Sequence, residues 1–144
     1  EGKRKLTQFL DQAEKSDPLE WQSLYVKTFD FGKRTNLYLT YAEFGEERER
    51  GRALIELKRR YAEAGFDLEC NELPDYLPLL LEFAAVTVTP GIKLIDSYMP
   101  QIQTIYEELK QEHNPYHLVF EAFISAIHLY KQNEQEPQAV GGAR

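Results

Sequence analysis

From Leu77 to Val88 the chain reads Leu-Pro-Leu-Leu-Leu-Glu-Phe-Ala-Ala-Val-Thr-Val, its longest apolar stretch, with Glu82 the single charge. A segment this poor in polar positions has no solvent face of its own and must be covered on most sides. A domain of 144 residues hides roughly 68–70% of its unfolded surface, enough to supply that cover. The stretch is too short and too interrupted to span a bilayer, which takes about 20 apolar residues. Just before it, Glu72-Leu73-Pro74-Asp75-Tyr76 forms a polar turn. Pro74 suits the first helical position, where a missing N–H costs nothing. The expectation is a buried helix from Pro74 to about Val86 with acidic groups at its mouth.

The other segments read as helix too. Leu6, Phe9, Leu10 and Ala13 recur at helical spacing and predict a helix over 4–15 with those residues inward. Ser16-Asp17-Pro18 restarts the chain, Asp17 as cap and Pro18 at the first position. Trp21, Leu24, Tyr25 and Phe29 mark the next inner face, closed by Asp30-Phe31-Gly32. Leu37, Tyr38, Tyr41 and Phe44 predict a third helix stopped at Gly45. A long charged helix follows over 46–64, with Leu54, Leu57, Tyr61 and Ala64 inward and Gly65 as its cap. Pro90-Gly91 predicts a turn, Pro100 opens a helix with Ile102, Ile105, Tyr106 and Leu109 inward, and Asn114-Pro115 repeats the cap-plus-proline signal before a helix over 116–131. Val86-Thr87-Val88-Thr89 alternates like a strand but has no partner run. The fold class is therefore all-α: a single-domain bundle of six to seven helices over 1–132, with 133–144 a frayed polar tail.

The run at 72–85 resembles the signature of the NarJ chaperones, the nitrate reductase delta subunits of the wider TorD-like group, where it reads acidic-x-Pro-Asp-His/Tyr-Leu and ends Glu-Phe. A second block agrees. Tyr25-Val26-Lys27-Thr28-Phe29-Asp30-Phe31, then Arg34-Thr35-Asn36-Leu37-Tyr38-Leu39-Thr40, resembles the Tyr-Val-x-Thr-Phe-Asp-Phe…Arg-x-x-Leu-Tyr-Leu-Thr pattern of the nitrate reductase branch. Arg50-Gly51-Arg52-Ala53-Leu54 and Leu57-Lys58 extend it, so the likeness covers about Tyr25 to Ala85. Tyr76 fits this branch, since the wider group often has His there. Members of the group are usually longer at both ends, so N-terminal helices are expected beyond Glu1.

Catalytic and metal chemistry find little support. The lone Cys70 cannot form an intramolecular disulfide or a multi-cysteine zinc site, which leans towards the cytoplasm. Its acidic neighbours raise rather than lower a thiol pKa. His113, His117 and Glu121 have tempting spacing, but Asn114-Pro115 starts the helix between them and leaves His113 outside. No glycine-rich phosphate loop occurs, so no cofactor site is read. The runs at 46–50 and 58–60 read as a solvated helix face. Charge is uneven: residues 1–65 carry 13 Lys/Arg against 12 Asp/Glu, whereas residues 66–144 carry 4 against 12. An acidic half repels nucleic acid and attracts basic segments.

Aromatics supply the remaining signal. Trp21, Tyr25, Phe29, Phe31, Tyr38, Tyr41 and Phe44 fall within 24 residues, more than two short helices need for mutual packing. Aromatic walls beside carboxylates suit a groove for a basic amphipathic helix. The expected peptide-binding residues are Tyr25, Phe29, Tyr38 and Tyr41 as walls, Glu72, Asp75 and Asp30 as the charges that meet Lys or Arg, and Tyr76 shaping the turn. The resemblance implies a non-enzymatic, cytoplasmic chaperone, monomeric or a weak dimer. Its implied partner is the N-terminal segment of the nitrate reductase catalytic α subunit, held for molybdenum cofactor and iron–sulfur insertion, with contact to the cofactor machinery. A related molybdoenzyme client (selenate, perchlorate or hydrocarbon-oxidising) and a helical scaffold for some other peptide stay open.

Overall fold

The computed structural model describes residues 1–45, 47–69 and 71–135. Among them are eight α-helices: α1 (Gly2–Glu14), α2 (Pro18–Tyr25), α3 (Tyr41–Phe44), α4 (Arg48–Glu63), α5 (Leu77–Thr87), α6 (Thr89–Ser97), α7 (Met99–Gln111) and α8 (His117–Gln135). A π-helical turn, Val26–Asp30, continues α2. The chain is all-helical, with one isolated bridge and no strand among these residues. No described helix is long and apolar enough to cross a membrane. Residues 133–135 still belong to α8, and the rest of the expected tail, 136–144, lies outside the described residues.

Local signals set most boundaries. Asp17 Oδ1 accepts a hydrogen bond from the Leu19 amide at 2.9 Å, and Asn114 Oδ1 from the Tyr116 amide at 3.0 Å, so both caps form where the cap-plus-proline pattern puts them. Gly65 ends α4 with φ +75°. The core gathers Leu39, Leu57, Tyr61, Leu80, Phe83, Ile95, Ile102, Leu109 and Leu118, all at or below 2% exposure. Tyr61 keeps its hydroxyl paired by donating to the Pro74 carbonyl at 2.7 Å, and its ring lies edge-on to Phe83.

Four segments depart from expectation. Leu37–Thr40 is not helical: Tyr38 forms a bridge, Leu39 and Thr40 make a turn, and only Tyr41–Phe44 coils. The helix expected from Pro74 starts at Leu77 with Pro78 in its first turn. Pro90-Gly91 is not a turn but the start of α6; the reversal falls on Val88, with φ 57° and ψ −90°. Thr87 makes that corner, donating to the Phe83 carbonyl at 2.8 Å and accepting from the Gly91 amide at 3.1 Å. The inner face of α1 also rotates: Gly2, Lys5, Phe9 and Ala13 are half-buried, while Leu6 and Leu10 stay 43% and 57% exposed. In α4, Leu57 and Tyr61 are buried as expected, but Ala64 is exposed.

Candidate aromatic and acidic groove

Leu37–Leu39 and Asp75–Leu77 pair as two short antiparallel pieces around the Tyr38–Tyr76 bridge. The Leu39 amide donates to the Asp75 carbonyl at 3.1 Å, and the Leu77 amide to the Leu37 carbonyl at 2.9 Å. Extended chain sends successive side chains to opposite faces. Leu37, Leu39, Asp75 and Leu77 therefore point into the core, and Tyr38 and Tyr76 lie together on the other side. Their rings sit 5.1 Å apart at 31°. Pairs flanked by ladder bonds, as here, bring side chains closest.

Both hydroxyls are engaged. Tyr38 donates to Glu72 Oε1 at 2.5 Å, and the Tyr76 hydroxyl lies 3.2 Å from that of Tyr25. The Glu72 hydrogen bond, then burial and nearby acidic charge including Asp30, push the Tyr38 phenol up to about 12. Burial, then the Tyr25 hydroxyl, raises Tyr76 further. The result is a wall of neutral phenols with a carboxylate at its edge. Asp30 is exposed at the end of the π turn, and Phe31 beside it is 78% exposed.

Not every expected residue reaches this wall. Phe29 is 7% exposed and packs on Tyr25 and Tyr116 at 5.0 Å each, so it backs the wall from the core side. Asp75, expected among the partner-facing charges, has no exposed surface. Its Oδ2 accepts from the Thr40 amide at 3.1 Å and the Thr40 hydroxyl at 2.6 Å, with Arg50 Nη2 at 3.4 Å. Alternation along the bridge turns it inward, and a buried carboxylate demands such partners. Arg50 in turn bonds the Thr40 hydroxyl at 3.1 Å and lies over the Tyr41 ring, 5.3 Å from its centre. Tyr41 is thereby steadied at the surface, 39% exposed.

Two contributors escape a reading of the sequence. Arg50 looks like one more charge on a solvated helix, yet its side chain is only 15% exposed. Tyr116 sits where Phe9, Trp21, Tyr25 and Phe29 converge, at 5.2, 5.7, 6.0 and 5.0 Å. Its place directly after a helix-capping Asn-Pro was the available hint. A cleft of about 630 Å³ lies elsewhere, near Lys27, Arg34, Glu108 and His113. Charges of both signs line it, three Lys or Arg against two Glu, with Arg34 3.8 Å from Glu108, so it lacks the acidic character that a basic segment calls for. Among the described residues no three His, Cys, Asp or Glu side chains are grouped to hold a metal ion.

The family described as nitrate reductase delta subunit matches residues 1–121. The probable nitrate reductase molybdenum cofactor assembly chaperone NarJ of Bacillus subtilis is 36% identical over 87% of this chain and 68% of its own length. The NarW and NarJ assembly chaperones of Escherichia coli K12 are 33% and 32% identical over 83% and 81% of this chain. The chain spans about half the length of those two relatives, 52% and 50%.

Proposed function

Because the chain belongs to the nitrate reductase delta subunit family, we propose that it is a cytoplasmic assembly chaperone that binds the N-terminal segment of a nitrate reductase catalytic α subunit. It holds that subunit while the molybdenum cofactor and iron–sulfur centres are inserted, and it performs no catalysis of its own. The observation that carries this reading is the wall of Tyr25, Tyr38 and Tyr76 with Glu72 at its edge, set in place by the short bridge between Tyr38 and Tyr76. Phenol rings give large rigid apolar area at low entropic cost, and the carboxylate orients a Lys or Arg of an amphipathic helix. Asp30, exposed and near enough for its charge to act on the Tyr38 phenol, adds a second carboxylate, and Phe31 and Tyr41 are exposed apolar surface close by in sequence. Asp75 serves this site indirectly, by fixing Thr40 and Arg50 beneath it.

Calorimetric titration with a synthetic peptide of the α subunit's N-terminal segment tests the reading. Binding at micromolar or tighter affinity, weakening as salt rises, is expected, since exposed charges are screened beyond about 10 Å at 0.1 M salt. Glu72→Gln should weaken it about tenfold, near 1.4 kcal/mol, the scale of one charge-assisted contact. No binding, or binding indifferent to both salt and Glu72, would refute the groove.

A further inference from the structure

The first helix, like α2 and α3, has no fully buried side chain. It lies along α8, with Gly2 against Ala122 and Lys5 Nζ 3.2 Å from Glu121 Oε2. Phe9 is its aromatic anchor, 5.1 Å from Trp21 and 5.2 Å from Tyr116. Open clefts flank the helix at both ends. One of about 390 Å³ lies between its last turn, Trp21 and Pro115, and one of about 230 Å³ lies between Lys5, Tyr106 and Ile124. Leu6 and Leu10 remain largely exposed, so its apolar stripe is only partly used.

The slot of rings on which Phe9 packs continues into the aromatic wall already described. Rings run from Trp21 through Tyr116 and Phe29 to Tyr25, and the Tyr25 hydroxyl meets that of Tyr76 beside Tyr38. The helix in the slot has its own telling chemistry. It opens Lys3-Arg4-Lys5 and then carries Leu6, Phe9 and Leu10, a basic amphipathic segment on a body whose second half is strongly acidic. That is the kind of segment the groove is suited to receive.

We propose that α1 is an internal stand-in for the partner's helix: it occupies one end of the aromatic band through Phe9 and Lys5, and it gives way when a basic amphipathic helix binds. The inference rests on the peptide-binding reading above and adds where the partner docks and what it displaces. A competitor tethered in the same chain lowers apparent affinity by the fraction of time it is seated. The partner's matching features are a cationic residue four positions before an aromatic one, as Lys5 precedes Phe9.

The test uses the full chain, as wild type and as Phe9→Ala, with two probes. One is a labelled synthetic peptide of residues 2–15 followed by fluorescence anisotropy, and the other is the α-subunit peptide. Phe9→Ala should capture the 2–15 peptide at least about fivefold more tightly than wild type does, because its own helix no longer holds the slot. The α-subunit peptide should then displace it. Equal or weaker capture by Phe9→Ala overturns the proposal, and so does capture that the α-subunit peptide binds alongside without displacing. If wild type and variant both ignore the α-subunit peptide yet Phe9→Ala captures the 2–15 peptide, the slot stands and the choice of partner falls. Amide exchange of wild type gives a reading that needs no substitution. Saturating α-subunit peptide should speed exchange in Gly2–Glu14 about tenfold while α8 stays protected, and unchanged or slower exchange there refutes displacement.

Discussion

Replacing Asp75 by alanine separates a structural carboxylate from a partner-facing one. Asp75 has no exposed surface, and its Oδ2 receives the Thr40 amide, the Thr40 hydroxyl and Arg50. Its Oδ1 has no hydrogen-bond partner among the described residues, so the cost of removal falls on the donors to Oδ2. Two buried neutral donors left unpaired cost about 1–3 kcal/mol each. Arg50, with 15% of its side chain exposed, recovers part of its hydration by moving outward. A loss of about 3–5 kcal/mol follows, in the range measured for breaking one side of a buried ion pair. Against a total stability of about 5–15 kcal/mol, that is a shift in melting temperature of roughly 10 °C for a domain of this size. Urea unfolding followed by circular dichroism measures it, with an unchanged slope showing that only stability moved. Arg50→Ala combined with Asp75→Ala should cost less than the sum of the two by more than about 1 kcal/mol, because the second change removes what the first left unpaired. A loss under about 1 kcal/mol for Asp75→Ala refutes the argument. A variant that kept its stability yet lost peptide binding would show instead that Asp75 meets the partner directly.

Three further predictions follow from the geometry. A Cβ on Gly91 would lie 2.7 Å from the Ala84 amide nitrogen, against backbone that has no room to yield, so Gly91→Ala should push α6 off α5 and cost about 1–3 kcal/mol in the same urea assay. Val88 carries a branched side chain at φ 57° and is 46% exposed, so Val88→Gly should stabilise by up to about 1 kcal/mol, the opposite of the usual glycine penalty in a regular helix. The Tyr38 phenol, raised to about 12 from an ordinary 10.0, favours the folded state while protonated; that contribution is complete below pH 10 and is lost as pH climbs towards 12. An ultraviolet phenolate titration should therefore show a group of late-ionising tyrosines that is one fewer in Tyr38→Phe and from which Glu72→Ala shifts one back towards the ordinary range.

Much of the helical architecture was legible because it follows from local rules. Asp17-Pro18 and Asn114-Pro115 cap helices through their own side chains, Gly65 ends α4 because glycine adopts that backbone without strain, and Leu57, Tyr61, Ile102 and Leu109 lie inward at helical spacing. The family likeness was legible too, since it resides in ordered blocks of residue types. The groove was only half legible. Tyr25, Tyr38, Glu72 and Tyr76 come together as one cluster, but Asp75 and Phe29 turn away from it.

The difference lies in the range of the forces that act. Apolar spacing, caps and charge determined from sequence alone that this chain is a helical bundle with an acidic second half. Whether Leu37–Leu39 coils or pairs in the bridge is decided by Asp75–Leu77, reached only after α4 has crossed the molecule. Once paired, its side chains alternate with a period of two, and that single switch sends Asp75 to Arg50 and leaves Tyr38 and Tyr76 side by side. No local pattern carries such information, because the bonds that fix it join segments more than thirty residues apart.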